Sequence, residues 1–262
     1  GGALGQGLVP PLFEALAAGF GWRGGLVALG LLYLGGIAPA MWFVTKPPVT
    51  VLAAAGTAGR GWPLAPFLPV ALLAGAATLC CVVMGTPLVH LMPLAIAGGA
   101  DPAVASGVLT AMMAAGCASR LVAGAIADRL GALATYALFA AGQTAAVCLF
   151  IVPAQGLALT VAAVVYGLAF GGVMTGLVCT VKAAVPAPVL GRAMAAVGLT
   201  AWLGMGLGGY QGGLCFDLTG SYAASFGNAA LAGAANLAFL GLLGLLLRRA
   251  GSRSPAGWRI AT

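Results

Sequence analysis

RLVAGAIADRLG, residues 120–131, joins two long apolar segments and decides how the chain is read. It spaces Gly124, Asp128, Arg129 and Gly131 as G-x-x-x-D-R-x-G, with Arg120 four residues ahead of the first glycine. A tight turn between two membrane helices needs this chemistry. Gly124 is expected to let a neighbouring backbone approach closely. Asp128 and Arg129 mark the water boundary, and Gly131 supplies the φ freedom that ends a helix.

Composition agrees with that setting. The 262 residues are 62% hydrophobic and 6% charged, against about 25% charged in a soluble domain. No globular core absorbs so much apolar sequence, so the lipid bilayer is the expected solvent and first partner. The net charge of +7 would point to nucleic acid in a soluble protein. Here the cations fall in short loops between apolar runs, where they report topology instead. Cys80, Cys81, Cys117, Cys148, Cys179 and Cys215 all lie in apolar segments without a C-x-x-C pair. They read as small buried hydrophobes, and no metal, cofactor or disulfide framework is expected.

Working outward from 120–131, the expectation is an all-α polytopic membrane protein. Residues 1–20 and 23–44 are apolar, with a Pro10-Pro11 pair and Glu14 in the first. Residues 45–65 form a Gly/Pro-rich connection holding Lys46 and Arg60. Six spans follow at about 66–97, 102–126, 132–152, 156–180, 188–213 and 223–247, each long enough for the roughly 20 residues a spanning helix needs. Gly98-Gly99, Pro153, Pro186 with Pro188, and Gly220 punctuate them. Gly204, Gly208 and Gly212 recur on one helix face, as close helix contact in lipid prefers.

The 120–131 run resembles a cytoplasmic-loop motif of the major facilitator superfamily, in the copy between the eighth and ninth helices. The resemblance implies two parallel six-helix halves and makes Gly124, Asp128, Arg129 and Gly131 a conformational-gating motif. An internal match places the chain within that scheme. GGALGQGLVPPLFE at 1–14 aligns with GMGLGGYQGGLCFD at 204–217, and both end in Phe and an acid. On this reading the chain holds the last eight helices. Residues 1–44 close the N-terminal half with a partial fifth helix and the sixth. Residues 45–65 are the central cytoplasmic loop, 66–249 the C-terminal six-helix half, and 250–262 a cytoplasmic tail. The missing N-terminal helices of the same polypeptide would be partners of what remains.

Alternating the loops puts Lys46, Arg60, Arg129, Lys182, Arg192, Arg248, Arg249, Arg253 and Arg259 on one side. Arg23 falls on the other, with Glu14, Asp101 and Asp217. The positive-inside rule makes the first side cytoplasmic. A multi-pass plasma-membrane protein with a cytoplasmic C-terminus is expected.

Arg120 is the sharpest candidate for chemistry. It lies eight residues before Asp128, roughly 12 Å deeper along a helix rising 1.5 Å per residue. Insertion scales put a mid-membrane arginine at a cost of about 2.5–3.5 kcal/mol, unless it faces protein or water. Its planar fork suits a carboxylate. Two readings stay open: a substrate clamp, or a structural arginine that snorkels or pairs with Asp128.

R-x-x-x-G-x-x-x-D-R-x-G at 120–131, FDLTGSY at 216–222 and GWR at 21–23 resemble the monocarboxylate porter and oxalate–formate antiporter branches. That resemblance implies substrate-carboxylate binding by Arg120. The chain departs from the animal porters at Gly116, where they carry an acid. It departs from the oxalate type in lacking a lysine within 193–213. A single clamp implies a single carboxylate.

His90 is the only histidine and sits between Pro87 and Pro93. If the prolines break the helix it could line a cavity, carry a proton or bind substrate. Otherwise it satisfies a carbonyl that a proline has freed. Tyr166 and Phe170 share a helix face, and the oxalate-type resemblance implies a substrate wall there; packing is the plainer reading. Gln143, Asn228 and Asn236 read as helix–helix glue.

Transport of a small, monocarboxylate-like organic anion, coupled to protons or to exchange, is the leading expectation. Export of drugs or other hydrophobic compounds is the alternative. A membrane enzyme would need clustered catalytic polar groups, and four acids, mostly in loops, argue against one. No phosphate-binding G-x-x-x-x-G-K-[ST] run points to a primary pump.

Overall fold

The computed structural model describes residues 2–42, 64–65, 67–152 and 155–251. Helix α1 is Gly2–Trp42, α2 Phe67–Ala97, α3 Pro102–Leu130 and α4 Ala132–Val147, the last continued by a 3-10 turn at Cys148–Phe150. Helix α5 is Gly156–Gly171, α6 Val173–Ala184, α7 Ala187–Thr219 and α8 Tyr222–Gly251. No strand occurs among the described residues. Seven helical stretches are long and apolar enough to cross a membrane, α5 and α6 together forming one of them. The 45–65 connection up to residue 63 and the tail beyond residue 251 lie outside the described residues, and with them Lys46, Arg60, Arg253 and Arg259.

Helix α1 folds on itself. Gly21 has φ 68° and ψ 167°, a conformation no helix contains and one that suits glycine alone. The two arms, 2–20 and 22–42, then meet. A Cβ built at Gly25 would lie 3.3 Å from the Cα of Ala17, whereas a straight helix separates such residues by roughly 12 Å. The apolar segments read at 1–20 and 23–44 are these arms.

The 120–131 run turns at Gly131 as expected, but the helix reaches four residues beyond the expected span end at 126. Helix α3 continues through Asp128 and Arg129 to Leu130, and one residue, Gly131 at φ 83°, reverses the chain. Its N–H caps the Ala127 carbonyl at 3.0 Å. Gly124 does not hold a neighbouring backbone close: a Cβ added there would meet nothing within 4 Å.

Short reversals of this kind make successive spans antiparallel, and cross-helix contacts confirm the directions. Helices α2 and α7 run parallel, with Thr78 beside Gly204 and His90 beside Gly212. Helices α3 and α5 also run parallel, with Met112 beside Gly167 and Gly116 beside Gly171. One end of the bundle therefore gathers Arg129, Lys182, Arg192, Arg248 and Arg249, while Asp101 and Asp217 lie at the other.

Helix α2 is the centre, packed against α3, α7 and α8. Small residues permit this. Gly204, Gly208 and Gly212 face α2, and a Cβ on any of them would strike Thr78, Val82 or His90. A second such seam, between α3 and α5, has no clean period in the sequence. There Gly167 meets the Met112 carbonyl, and Gly171 meets Gly116. Outward-facing Leu121, Leu157, Leu199 and Leu231 are strongly exposed, as residues solvated by lipid tails are.

Candidate functional site

Two glycines interrupt one span and create the site. The segment expected as continuous over 156–180 breaks at Gly172, between α5 and α6, and runs on to Ala184. Glycine weakens a helix by about 1 kcal/mol relative to alanine, and here Gly171 and Gly172 are adjacent. Arg120 takes up the end that results: its Nε donates to the Gly171 carbonyl at 3.1 Å.

This bond gives the arginine a structural contact. Arg120 forms no ion pair with Asp128, which is exposed nearer the helix end. Among the described residues its Nε bond is its one hydrogen bond, which leaves both Nη groups without protein partners. Arg120 borders a cavity of about 300 Å³ among α2, α3, α6 and α7 and is the only charged residue in its lining among the described residues. Met84, Met174, Met194 and Met205 contribute thioethers, and Trp202 an indole that is 71% exposed. Valine, leucine and alanine side chains, Gly198 and Cys81 complete the wall. The cavity runs from mid-bundle toward the end that carries Arg129, Lys182 and Arg192.

The other expected site residues do not join Arg120 in that lining. Helix α2 is not broken at its prolines: Pro87 and Pro93 both lie inside one continuous helix. Pro87 has no N–H, so it leaves the Val83 carbonyl, four residues earlier, without its helical donor. Tyr166 supplies the replacement, its hydroxyl donating to Val83 O at 2.8 Å. Tyr166 is 1% exposed and stacked on Phe170 at 5.5 Å between centroids. Phe170 in turn covers Gly116. Both aromatics are thus core packing behind the cavity.

His90 is buried near the opposite end of α2. Its Nε2 lies 2.8 Å from the Gly209 carbonyl on α7, and a carbonyl only accepts, so Nε2 carries the proton. The carbonyl it satisfies belongs to a glycine in α7, not to a position freed by proline. Tyr222 flanks the imidazole at 5.5 Å. Beside it Gln211 donates to Thr86 Oγ1 at 2.7 Å, Ser225 to the Gly212 carbonyl at 2.7 Å, and Asn228 to Gln211 Oε1 at 2.9 Å. Gln143 joins helices as expected, donating to the Cys80 carbonyl at 2.9 Å.

Sequence reading missed the methionines and under-used Trp202. Their common signal is weak: Met194, Trp202 and Met205 lie near one face of α7, but the four methionines come from three helices. Among the described residues no cluster of His, Cys, Asp and Glu could hold a metal ion. No protein-family model matches the chain, and no curated protein matches its sequence. Fold and composition together define an all-helical, multi-pass membrane protein.

Proposed function

We propose that the chain belongs to a facilitator-type secondary transporter that moves a small organic anion by alternating access, with Arg120 as the carboxylate clamp. The observation that carries this reading is that both Nη groups of Arg120 lack partners among the described residues, at a cavity whose described lining holds no acid. A guanidinium that borders a cavity without an acid is open to a carboxylate, whose two oxygens match its planar fork. The helix arrangement supports the same reading. The cavity is lined by α2, α3, α6 and α7, while α4 and α8 contribute nothing to it. A facilitator half likewise presents some of its helices to a central path and keeps others outside.

The cation-rich end is the cytoplasmic one on this proposal, and the membrane is the plasma membrane. Coupling is to protons or to a counter-anion. The gating role of Gly124, Asp128, Arg129 and Gly131 is part of the same proposal; Gly124's open side leaves room for another helix. The alternative, export of hydrophobic compounds, draws on the apolar wall of methionine, valine and leucine.

Ligand-induced thermal stabilisation of the intact polypeptide separates the two. Carboxylates are expected to stabilise the wild type, and the corresponding neutral amides to have no effect. Equal stabilisation by acid and amide would assign the cavity to neutral, hydrophobic compounds.

A further inference from the structure

The chemistry of the cavity wall narrows the ligand further, on the footing that Arg120 binds a carboxylate. Apart from the guanidinium, the lining offers few polar side-chain groups: the Trp202 indole N–H and the Cys81 thiol. Among the described residues it includes no serine, threonine, asparagine, glutamine or tyrosine, and no acid. A second carboxylate would find no second cation on this wall. An ammonium group would sit beside Arg120 with nothing to neutralise it. Each hydroxyl of a sugar acid would lose water without gaining a partner. Dicarboxylates, amino acids and polyhydroxy acids are therefore disfavoured by the wall itself.

The same wall favours a flat apolar body. Methionine sulfurs make favourable contacts with ring edges, and four methionines surround the space. Trp202, bordering the cavity and 71% exposed, has a ring face available for stacking. The volume of about 300 Å³ is at the lower bound of small-molecule sites, which suits a single ring with a short acidic arm. We infer that the cavity selects a monocarboxylate with an aromatic body, Arg120 holding the carboxylate and Trp202 with the surrounding methionines determining specificity for the ring.

The competing idea of a soft-metal site from the same sulfurs fails on charge. A monovalent copper or silver ion would share the cavity with the Arg120 guanidinium, and no acid offsets the repulsion.

The test is calorimetric binding to the intact, detergent-purified polypeptide of 3-phenylpropanoate, lactate, succinate and the neutral 3-phenylpropanamide. The aryl acid is expected to bind at least tenfold more tightly than lactate or succinate. Trp202→Ala should weaken the aryl acid by about tenfold and leave lactate unchanged, with Trp202→Phe restoring most of the loss. If lactate binds as tightly as the aryl acid, or Trp202→Ala weakens both equally, the specificity inference is overturned and the anion reading stands. If the amide binds as tightly as its acid, the anion reading falls. If no carboxylate binds, both fall.

Discussion

The two halves of α7 pack against the same neighbour, α2, by opposite means. In the first half Met194, Val197, Ala201, Trp202 and Met205 keep bulk at the edge of a cavity. There the joint to α2 is a reciprocal pair: Thr200 Oγ1 donates to Ala74 O at 3.1 Å, and Thr78 Oγ1 to Thr200 O at 3.3 Å. In the second half Gly208 and Gly212 remove bulk altogether, and backbone meets backbone and imidazole. His90 and Gln211 stitch that contact together. One helix thus carries an apolar stretch at an open cavity and a closed, polar-bonded stretch. Space in a membrane protein is set by side-chain size, whereas hydrogen bonds between helices average only about 0.6 kcal/mol. Glycine spacing therefore closes the seam, and the polar side chains fix its register.

The comparison breaks first at the glycines. Gly208→Leu should be the most damaging change, because its Cβ would already crowd Val82 O, Gly85 Cα and Thr86 N. Backbone on both sides cannot yield as a side chain does, and overpacking of this kind costs about 3 kcal/mol or more. Thermal unfolding should show a large loss. Gly198→Leu, in the other half, meets nothing within 4 Å of its Cβ and should leave stability nearly unchanged while occupying the cavity. Equal losses from the two would erase the distinction between the halves.

Next in size is Arg120. Hydrogen bonds to charged groups contribute about 1.5–3 kcal/mol, so Arg120→Lys should weaken anion binding by roughly ten- to a hundredfold at 1.4 kcal/mol per decade. Lysine keeps the charge but loses the planar fork. Arg120→Gln should abolish binding and leave membrane insertion intact. The Nε bond to Gly171 makes a structural share visible too: both variants should lose some stability without ligand. A purely structural arginine would lose that stability and keep full anion response.

Tyr166→Phe comes third. It strips the donor from the carbonyl that Pro87 left bare, at a cost of about 1 kcal/mol. In a Pro87→Ala background the helix regains its own N–H for Val83, and the cost should fall by more than half. An unchanged cost in the double-mutant cycle would dissociate Tyr166 from the proline. The smallest effect is expected from His90→Phe, about 0.6 kcal/mol of stability, with anion affinity unaltered. A fall in affinity would return His90 to the binding site.

The spans were legible because length and apolarity are summed over many residues, so the ends fell within a few positions of Phe67, Ala97 and Tyr222. The Gly204–Gly208–Gly212 face was legible because its period equals the helix period. The break at Gly172 was harder to see: glycine pairs occur throughout this chain, and only the contact with Arg120 gives this one a consequence. The Tyr166 bond to Val83 was not legible because Pro87, which requires a donor, lies 79 residues away from Tyr166 in sequence. Likewise, nothing local tells Met84 of its neighbours Met174 and Met205.

Accessibility of the two halves of α7 to a negatively charged methanethiosulfonate tests the central claim most directly. In a background with the native cysteines replaced, Gly198→Cys and Gly213→Cys place one thiol in each half. Gly198→Cys should react quickly from water, faster than with a cationic reagent because of Arg120, and 3-phenylpropanoate should protect it. Gly213→Cys should react slowly and be unaffected by the anion. Equal labelling at the two positions, or labelling at Gly198→Cys that neither reagent charge nor anion alters, would contradict an anion cavity governed by Arg120.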